Sequence, residues 1–280
     1  MNVMMEFAIF YKVQILAGML TGGMLSAMGV FVLLKRITFF GVTLSQAASV
    51  SVIVALIMGI RGEVFILALT SAIMLPFHFL TQKENRNSEA ILSGGFVFFT
   101  ASGHALTALG GNVSNHLTRA YFGDVLTVSQ EEWNHFILPG IAFVPLFLFF
   151  FPYFKAVSFD RDETIVAGLH AKSIEFIFFL LLTGILGISI RLFGSFFSLA
   201  HLIFPGLLAL RFSKSVTGAI IGGLFFSLIS TVCGFFLSFL EIPIGDEILH
   251  FPTSSIIILI LGILSLAGYL IKKRWYGQAL

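Results

Sequence analysis

The sequence predicts an all-α fold: a polytopic transmembrane helical bundle of eight or nine spans. Composition points to it first. The 280 residues are 58% hydrophobic and only 11% charged, whereas soluble domains carry about 25% charged residues. Patterning points to it second, because the apolar residues fall in long charge-free runs and the basic residues gather between them. Crossing a bilayer takes roughly 17–25 apolar residues at ~1.5 Å rise each. Runs of that order occupy 13–34, 37–60, 64–82, 90–118, 133–154, 192–210, 215–240 and 248–271. A ninth, 176–190, is shorter and lies between Glu175 and Arg191, whose side chains can reach the interface from its ends.

Taken in order, the first run carries Gly18, Gly22, Gly23, Ser26 and Gly29, and the run 215–240 carries Gly218, Gly222, Gly223 and Ser227. The pairs Gly18/Gly22 and Gly218/Gly222 have the small-xxx-small spacing that lets helix backbones approach closely in lipid. The second run opens on Lys35-Arg36 and then presents Gly41, Thr43, Ser45 and Gln46. The fifth contains Pro139, Pro145 and Pro152, which should make it irregular. Pro205 lies inside 192–210 and is expected to kink or break that helix. The stretch 176–210 also leaves open a re-entrant or broken helix, which would invert part of the topology.

The formal net charge of +2 says little, but the charge positions set an orientation. With the N-terminus outside and nine spans, twelve of the 16 basic residues are inside, among them Lys35, Arg36, Lys155, Arg161, Lys172 and Arg211. Lys12, Arg61, Arg119 and Arg191 are outside. Positive residues stay cytoplasmic during insertion, so this orientation is favoured. Cys233 is the only cysteine, so neither a disulfide framework nor a thiolate metal site is available.

A polar island, Phe159 to His170, falls in an inside connection. Asp160 suits an N-cap, the acids Asp162 and Glu163 suit a first turn, and Gly168 can end a helix at positive φ. The island therefore predicts a two-turn amphipathic helix on the cytoplasmic face, either a docking element or an ordinary solvated loop helix. His104 and His201 lie inside spans, where ionisable groups usually face the interior or a pathway. Each is a candidate metal ligand, or else a neutral imidazole bonded to a neighbouring carbonyl. Asp246, Glu247 and His250 cluster just outside the last span. They are candidates for gathering cations at an outer mouth or contacting a binding protein, or they form a solvated helix start.

Enzyme chemistry is not expected. There is no His-Glu-x-x-His, no Gly-x-Ser-x-Gly and no phosphate-cradling loop. The basic residues are scattered at membrane edges rather than gathered in a patch, so nucleic acid is not an expected partner.

Residues 35–47, Lys-Arg-Ile-Thr-Phe-Phe-Gly-Val-Thr-Leu-Ser-Gln-Ala, resemble the signature of permease subunits of ATP-binding-cassette importers for zinc, manganese and iron. Phe122-Gly123-Asp124-Val125-Leu126, Gly194 through Ala209 with Pro205, and Ile242-Pro243-Ile244-Gly245 resemble further tracts of that family in the same order. The island at Phe159–His170 is similar to its coupling segment, with Thr164 where alanine is usual and Arg161 where proline is common. The resemblance implies one permease domain over 1–280 with a coupling segment at about 156–172, where Phe159, Asp160, Glu163, Thr164 and Gly168 transmit ATPase closure. It places Val42, Thr43, Gln46 and Pro205 along the pathway; His104 and His201, standing where the family pattern is apolar, are added to it as candidates for relocated ligands. The family usually carries Asp and His where this chain has Val42 and Gln46, so its usual metal-handling pair is missing.

The resemblance further implies a divalent-metal importer (zinc, manganese or iron) in the inner, cytoplasmic membrane of a prokaryote. Its expected partners are ATP-binding-cassette ATPase subunits, an extracytoplasmic metal-binding protein, a second permease copy and the lipid bilayer. ATP would be bound by the ATPases, with no cofactor in this chain. Two alternatives stay open: the same fold moving a metal chelate or other solute, and an ATPase-independent transporter or channel.

Overall fold

The computed structural model describes residues 10–60, 62–82, 88–106, 108, 121, 123–240, 242–244, 247–249 and 251–277. Helices α1 (Lys12–Leu34), α2 (Thr38–Ile57), α3 (Glu63–Gln82) and α4 (Ser88–Leu106) are followed by a 3-10 turn at Val125–Thr127. Then come α5 (Gln130–Phe159), the short α6 (Arg161–Val166), α7 (Ala171–Phe193), α8 (Ser195–Phe212) and α9 (Val216–Ser238). Strands β1 (Ile242–Ile244) and β2 (Glu247–Leu249) form an antiparallel hairpin ahead of α10 (Thr253–Gly277).

Eight of these helices are long and apolar enough to cross a membrane. Helix α4 has 19 residues but is more polar, carrying Glu89, three serines, Thr100 and His104. It lies alongside α2, with Leu92 near Thr43 and Thr100 near Gln46. Successive long helices run in opposite directions. Helix α8 is parallel to α1, since His201 meets Gly22 and Gly206 meets Val30. Helix α9 is antiparallel to it, since Gly223 meets Ser26 and Thr231 meets Gly18. The stretch 176–210 thus holds two full helices of opposite direction, without a re-entrant loop.

That alternation puts the described Lys35, Arg36, Lys155, Arg161, Lys172, Arg211 and Lys214 at one end of the bundle, here called the basic end. Lys12 and Arg191 are at the other. The prolines are absorbed: α5 runs unbroken through Pro139, Pro145 and Pro152, and α8 through Pro205. Neighbouring groups in a bundle can re-satisfy the backbone that a proline frees; beside Pro205, the Ser265 hydroxyl of α10 donates to the Phe204 carbonyl at 3.1 Å and joins the two helices.

Helix α1 is central and packs chiefly on α8 and α9. Its glycines permit this. A Cβ at Gly29 would fall on the Leu202 carbonyl, and one at Gly22 on the His201 ring, so the backbones of α1 and α8 touch as small-residue faces allow. Nearer the basic end the core is aromatic. Phe31 makes edge contacts with Phe147, Phe154 and Phe178, centroids 5.9 to 6.3 Å away, in the geometry ring quadrupoles favour. Gly194, at φ 83, joins α7 to α8 in a single residue, and a side chain there would meet the Gly123 and Tyr121 backbone.

Candidate functional site

Two regions hold the residues singled out from the sequence: the α2 tract with its neighbours inside the bundle, and α6 at the basic end. On α2, Thr43 and Gln46 are buried, Gln46 only 4% exposed. The Thr43 hydroxyl is within 3.0 Å of both the Phe39 carbonyl and the Leu92 carbonyl of α4. The Thr100 hydroxyl of α4 donates to Gln46 Oε1 at 3.4 Å, and Gln46 Nε2 lies 3.4 Å from Ser45 Oγ. Val42 is half-buried. The tract is therefore a neutral polar seam between α2 and α4. It offers amide and hydroxyl oxygens, which are poor partners for a borderline ion such as zinc.

His201 is completely buried in α8. Its Nδ1 lies 3.1 Å from the Phe197 carbonyl and its Nε2 3.1 Å from Thr231 Oγ1 of α9. A neutral imidazole has one proton, and the carbonyl can only accept. Nδ1 then donates to Phe197 and Nε2 accepts, so the single Thr231 hydroxyl proton goes either to Nε2 or to the Ser227 carbonyl 2.9 Å away. The ring stacks on Phe197 with centroids 4.1 Å apart. The Nε2 contact ties α8 to α9, while the Nδ1 contact stays within α8. Sequence reading missed Thr231 and Ser227 as its surroundings; the Gly222-Gly223…Ser227…Thr231 spacing on one face of α9 is the signal that carried them.

His104 lies elsewhere, exposed on α4 and stacked on Tyr121 with centroids 6.3 Å apart. The two histidines lie on different helices. Among the described residues no group of three or more His, Cys, Asp or Glu side chains converges. Pro205 is buried beside Gly223 of α9. At the opposite end from α6, Glu247 belongs to strand β2, pairing with Ile244. The helical spacing expected of Glu247 and His250 does not apply there; Asp246 and His250 lie outside the described residues.

Helix α6 forms as its caps require. Asp160 takes extended backbone, φ −148 and ψ 110, and its Oδ1 accepts the N–H groups of Asp162 and Glu163, each at 2.9 Å. Asp162 and Glu163 occupy the first turn, where negative charge suits the helix dipole. Thr164 is buried and its hydroxyl donates back to the Asp160 carbonyl at 2.6 Å. Gly168, at φ 82, ends the helix. Arg161 Nε pairs with Glu175 Oε1 of α7 at 3.3 Å, fastening α6 to a spanning helix. Outward from this anchor, Phe159, Ile165 and Val166 are exposed, Val166 by 87%. Phe159 is the last residue of α5, so these bare apolar side chains straddle the corner between α5 and α6.

Eight membrane-length apolar helices make this a multi-pass membrane protein with an all-α permease architecture. The sequence matches the ABC 3 transport family over residues 8–272, and the chain belongs to that family. It is 21% identical over 226 residues to the high-affinity zinc uptake system membrane protein ZnuB of Haemophilus influenzae, covering 80% of this chain and 86% of that one. It is 24% identical over 238 residues to the manganese transport system membrane protein MntC of Listeria monocytogenes, covering 85% and 84%. The fold is similar to that of PsaBC from Streptococcus pneumoniae, solved in complex with a Fab. The TM-score is 0.81 at 20% identity, over 96% of this chain and 95% of that one.

Proposed function

We propose that this chain is the membrane-spanning subunit of an ATP-driven importer of a divalent metal ion, working in the cytoplasmic membrane of a prokaryote with its basic end inside. Family membership supports the transport role, and the relatives named for zinc and manganese support the cargo. The observation that carries the mechanism is α6, capped at both ends, fastened to α7 through Arg161 and Glu175, with Phe159, Ile165 and Val166 bare. A partner ATPase closing on that surface would push α7 and, through it, the bundle. Two copies of the chain would flank one pathway, and an external metal-binding protein would deliver the ion. Within the chain, transport needs only a difference in affinity between outward- and inward-open states. The neutral seam at Thr43 and Gln46 suits weak, transient contact with a passing ion, so selectivity would lie with the delivering protein.

The same seam favours a second cargo reading, a metal chelate or other solute that brings its own ligands. Proteoliposomes containing the chain and its co-purified ATPase decide between them. ATP-dependent uptake of free zinc, manganese or iron supports the first reading, and uptake of a chelate alone supports the second. If no ATPase co-purifies and solute still moves, the importer reading fails.

A further inference from the structure

A cavity of about 390 Å³ opens at the basic end between the inner ends of α1, α2, α3, α5 and α7. Its deeper wall is apolar, built from Phe40, Phe178, Phe179 and Leu182. Around it are Lys35, Arg36 and Arg161, with the single acid Glu175. Arg161 and Glu175 neutralise each other through their ion pair. Among the described residues, Glu175 is then the one acid lining the cavity, against Lys35, Arg36 and Arg161.

Both residues are held at some cost. The Lys35 ammonium sits 5.5 Å over the Phe178 ring, and burial pushes its pKa below the ordinary value. Glu175 offsets part of that loss and Arg161 adds to it. A cation short of hydration and of counter-charge is a binding site for an anion. Arg36, at φ 56, has positive φ without being glycine, alone in this among the described residues. That turn closes α1, the Arg36 N–H reaching the Leu33 carbonyl at 3.1 Å and the Ile37 N–H the Val32 carbonyl at 3.0 Å, and it holds Lys35 and Arg36 side by side at the cavity mouth.

The geometry points to a site for the phosphate of an acidic phospholipid, with the phosphate at Lys35 and Arg36 and the lipid's apolar part against Phe40, Phe178 and Phe179. Basic pockets between spanning helices, at the level of the headgroups, take this class of ligand. A free phosphate would use the two charges but leave the aromatic wall without a partner. Because Arg161 belongs to α6, an occupant also braces the start of that helix against the α1–α2 junction. The assignment stands apart from the cargo and from the ATPase, and its test reads lipid binding alone.

The full chain is purified from nanodiscs of phosphatidylcholine with phosphatidylglycerol, and retained lipid is counted by native mass spectrometry. Wild type is expected to keep phosphatidylglycerol over phosphatidylcholine. Lys35→Met and Arg36→Gln are each expected to weaken retention on the order of fivefold, the effect of one charge near an anionic surface. Lys35→Met keeps the apolar stem over Phe178. Arg36 is exposed, so Arg36→Gln tests the site without disturbing the core. Lys155→Ala removes an exposed charge at the same end but outside the cavity, and is expected to keep wild-type retention. Equal retention by wild type and a variant carrying both Lys35→Met and Arg36→Gln overturns the site, as does an equal loss in Lys155→Ala. Displacement of the lipid by inorganic phosphate overturns the lipid as its occupant in favour of free phosphate.

Discussion

Asp124 caps the last spanning helix from 129 residues away, its Oδ2 accepting the Thr253 N–H at 3.1 Å. The other oxygen serves the same helix start and its own turn, lying 3.4 Å from the Ser254 N–H and 3.3 Å from the Leu126 N–H. In return, the Ser254 hydroxyl accepts the Val125 N–H at 3.1 Å. One carboxylate thus satisfies donors of two segments, and its charge suits the positive end of the α10 dipole. Asp124→Ala is expected to cost about 1–2 kcal/mol, read as a lower thermal midpoint in detergent. Asp124→Asn keeps an acceptor and should lose less. Equal midpoints for all three would show that the cap contributes nothing.

The crossing of α1 and α8 at Gly29 and Leu202 tolerates no side chain. Gly29→Ala must push two backbones apart, and overpacking of this kind costs about 1–3 kcal/mol. Gly62→Ala meets no atom within 4 Å and is the matched control. A thermal midpoint as low in Gly62→Ala as in Gly29→Ala would contradict the close crossing.

Lys35 gives a pH dependence whose sign follows from its lowered pKa. The unfolded chain holds this proton more tightly than the folded one. Stability therefore rises with pH between the lowered folded value and the ordinary 10.5, is complete above 10.5, and is lost as pH falls through the folded value. Without added acidic lipid, Lys35→Met should raise the thermal midpoint near neutral pH and flatten its rise on the alkaline side. A midpoint at or below wild type would refute the burial cost.

Val166 tests α6 as a docking surface. Being 87% exposed, Val166→Asp should change stability by no more than about 0.5 kcal/mol. A charge in an apolar contact should nonetheless abolish co-purification of the ATPase. Retention of the ATPase at wild-type levels would remove the docking role.

The α2 seam predicts a gain of function. Val42 and Gln46 are one turn apart, so Val42→Asp with Gln46→His would set a carboxylate and an imidazole on one helix face. Calorimetric titration with zinc or manganese is expected to show tighter binding than wild type. Unchanged titration would mean that the face between α2 and α4 is closed to ions.

Most spans were legible as long apolar runs, because bilayer thickness converts run length into a helix; α7 was read short, as 176–190, because Lys172, Glu175 and Arg191 fall within it. The α6 boundaries were legible for an equally local reason, since Asp160 and Gly168 act within their own turn. Long-range satisfaction was not. Nothing near Asp124 names Thr253, and nothing near His201 names Thr231, because each pairing exists only once helices distant in sequence lie side by side. His201 as a pathway ligand is the instructive case: an imidazole inside a span has the same local pattern whether it serves an ion or a neighbouring hydroxyl. At 242–249 the helical reading of Glu247 gave way to a hairpin, in which Ile242 pairs with Leu249 and Ile244 with Glu247.

The central place of α1 has a consequence for biogenesis. Its glycine face is completed by α8 and α9, which leave the ribosome long after it. Until then the small residues of α1 face lipid with little to hold them, and helices α2 to α7 must enter around an unfinished axis. Assembly of this bundle should therefore close late and all at once. A nascent chain halted before Gly206 would leave α1 open to crosslinking with lipid or with an insertase.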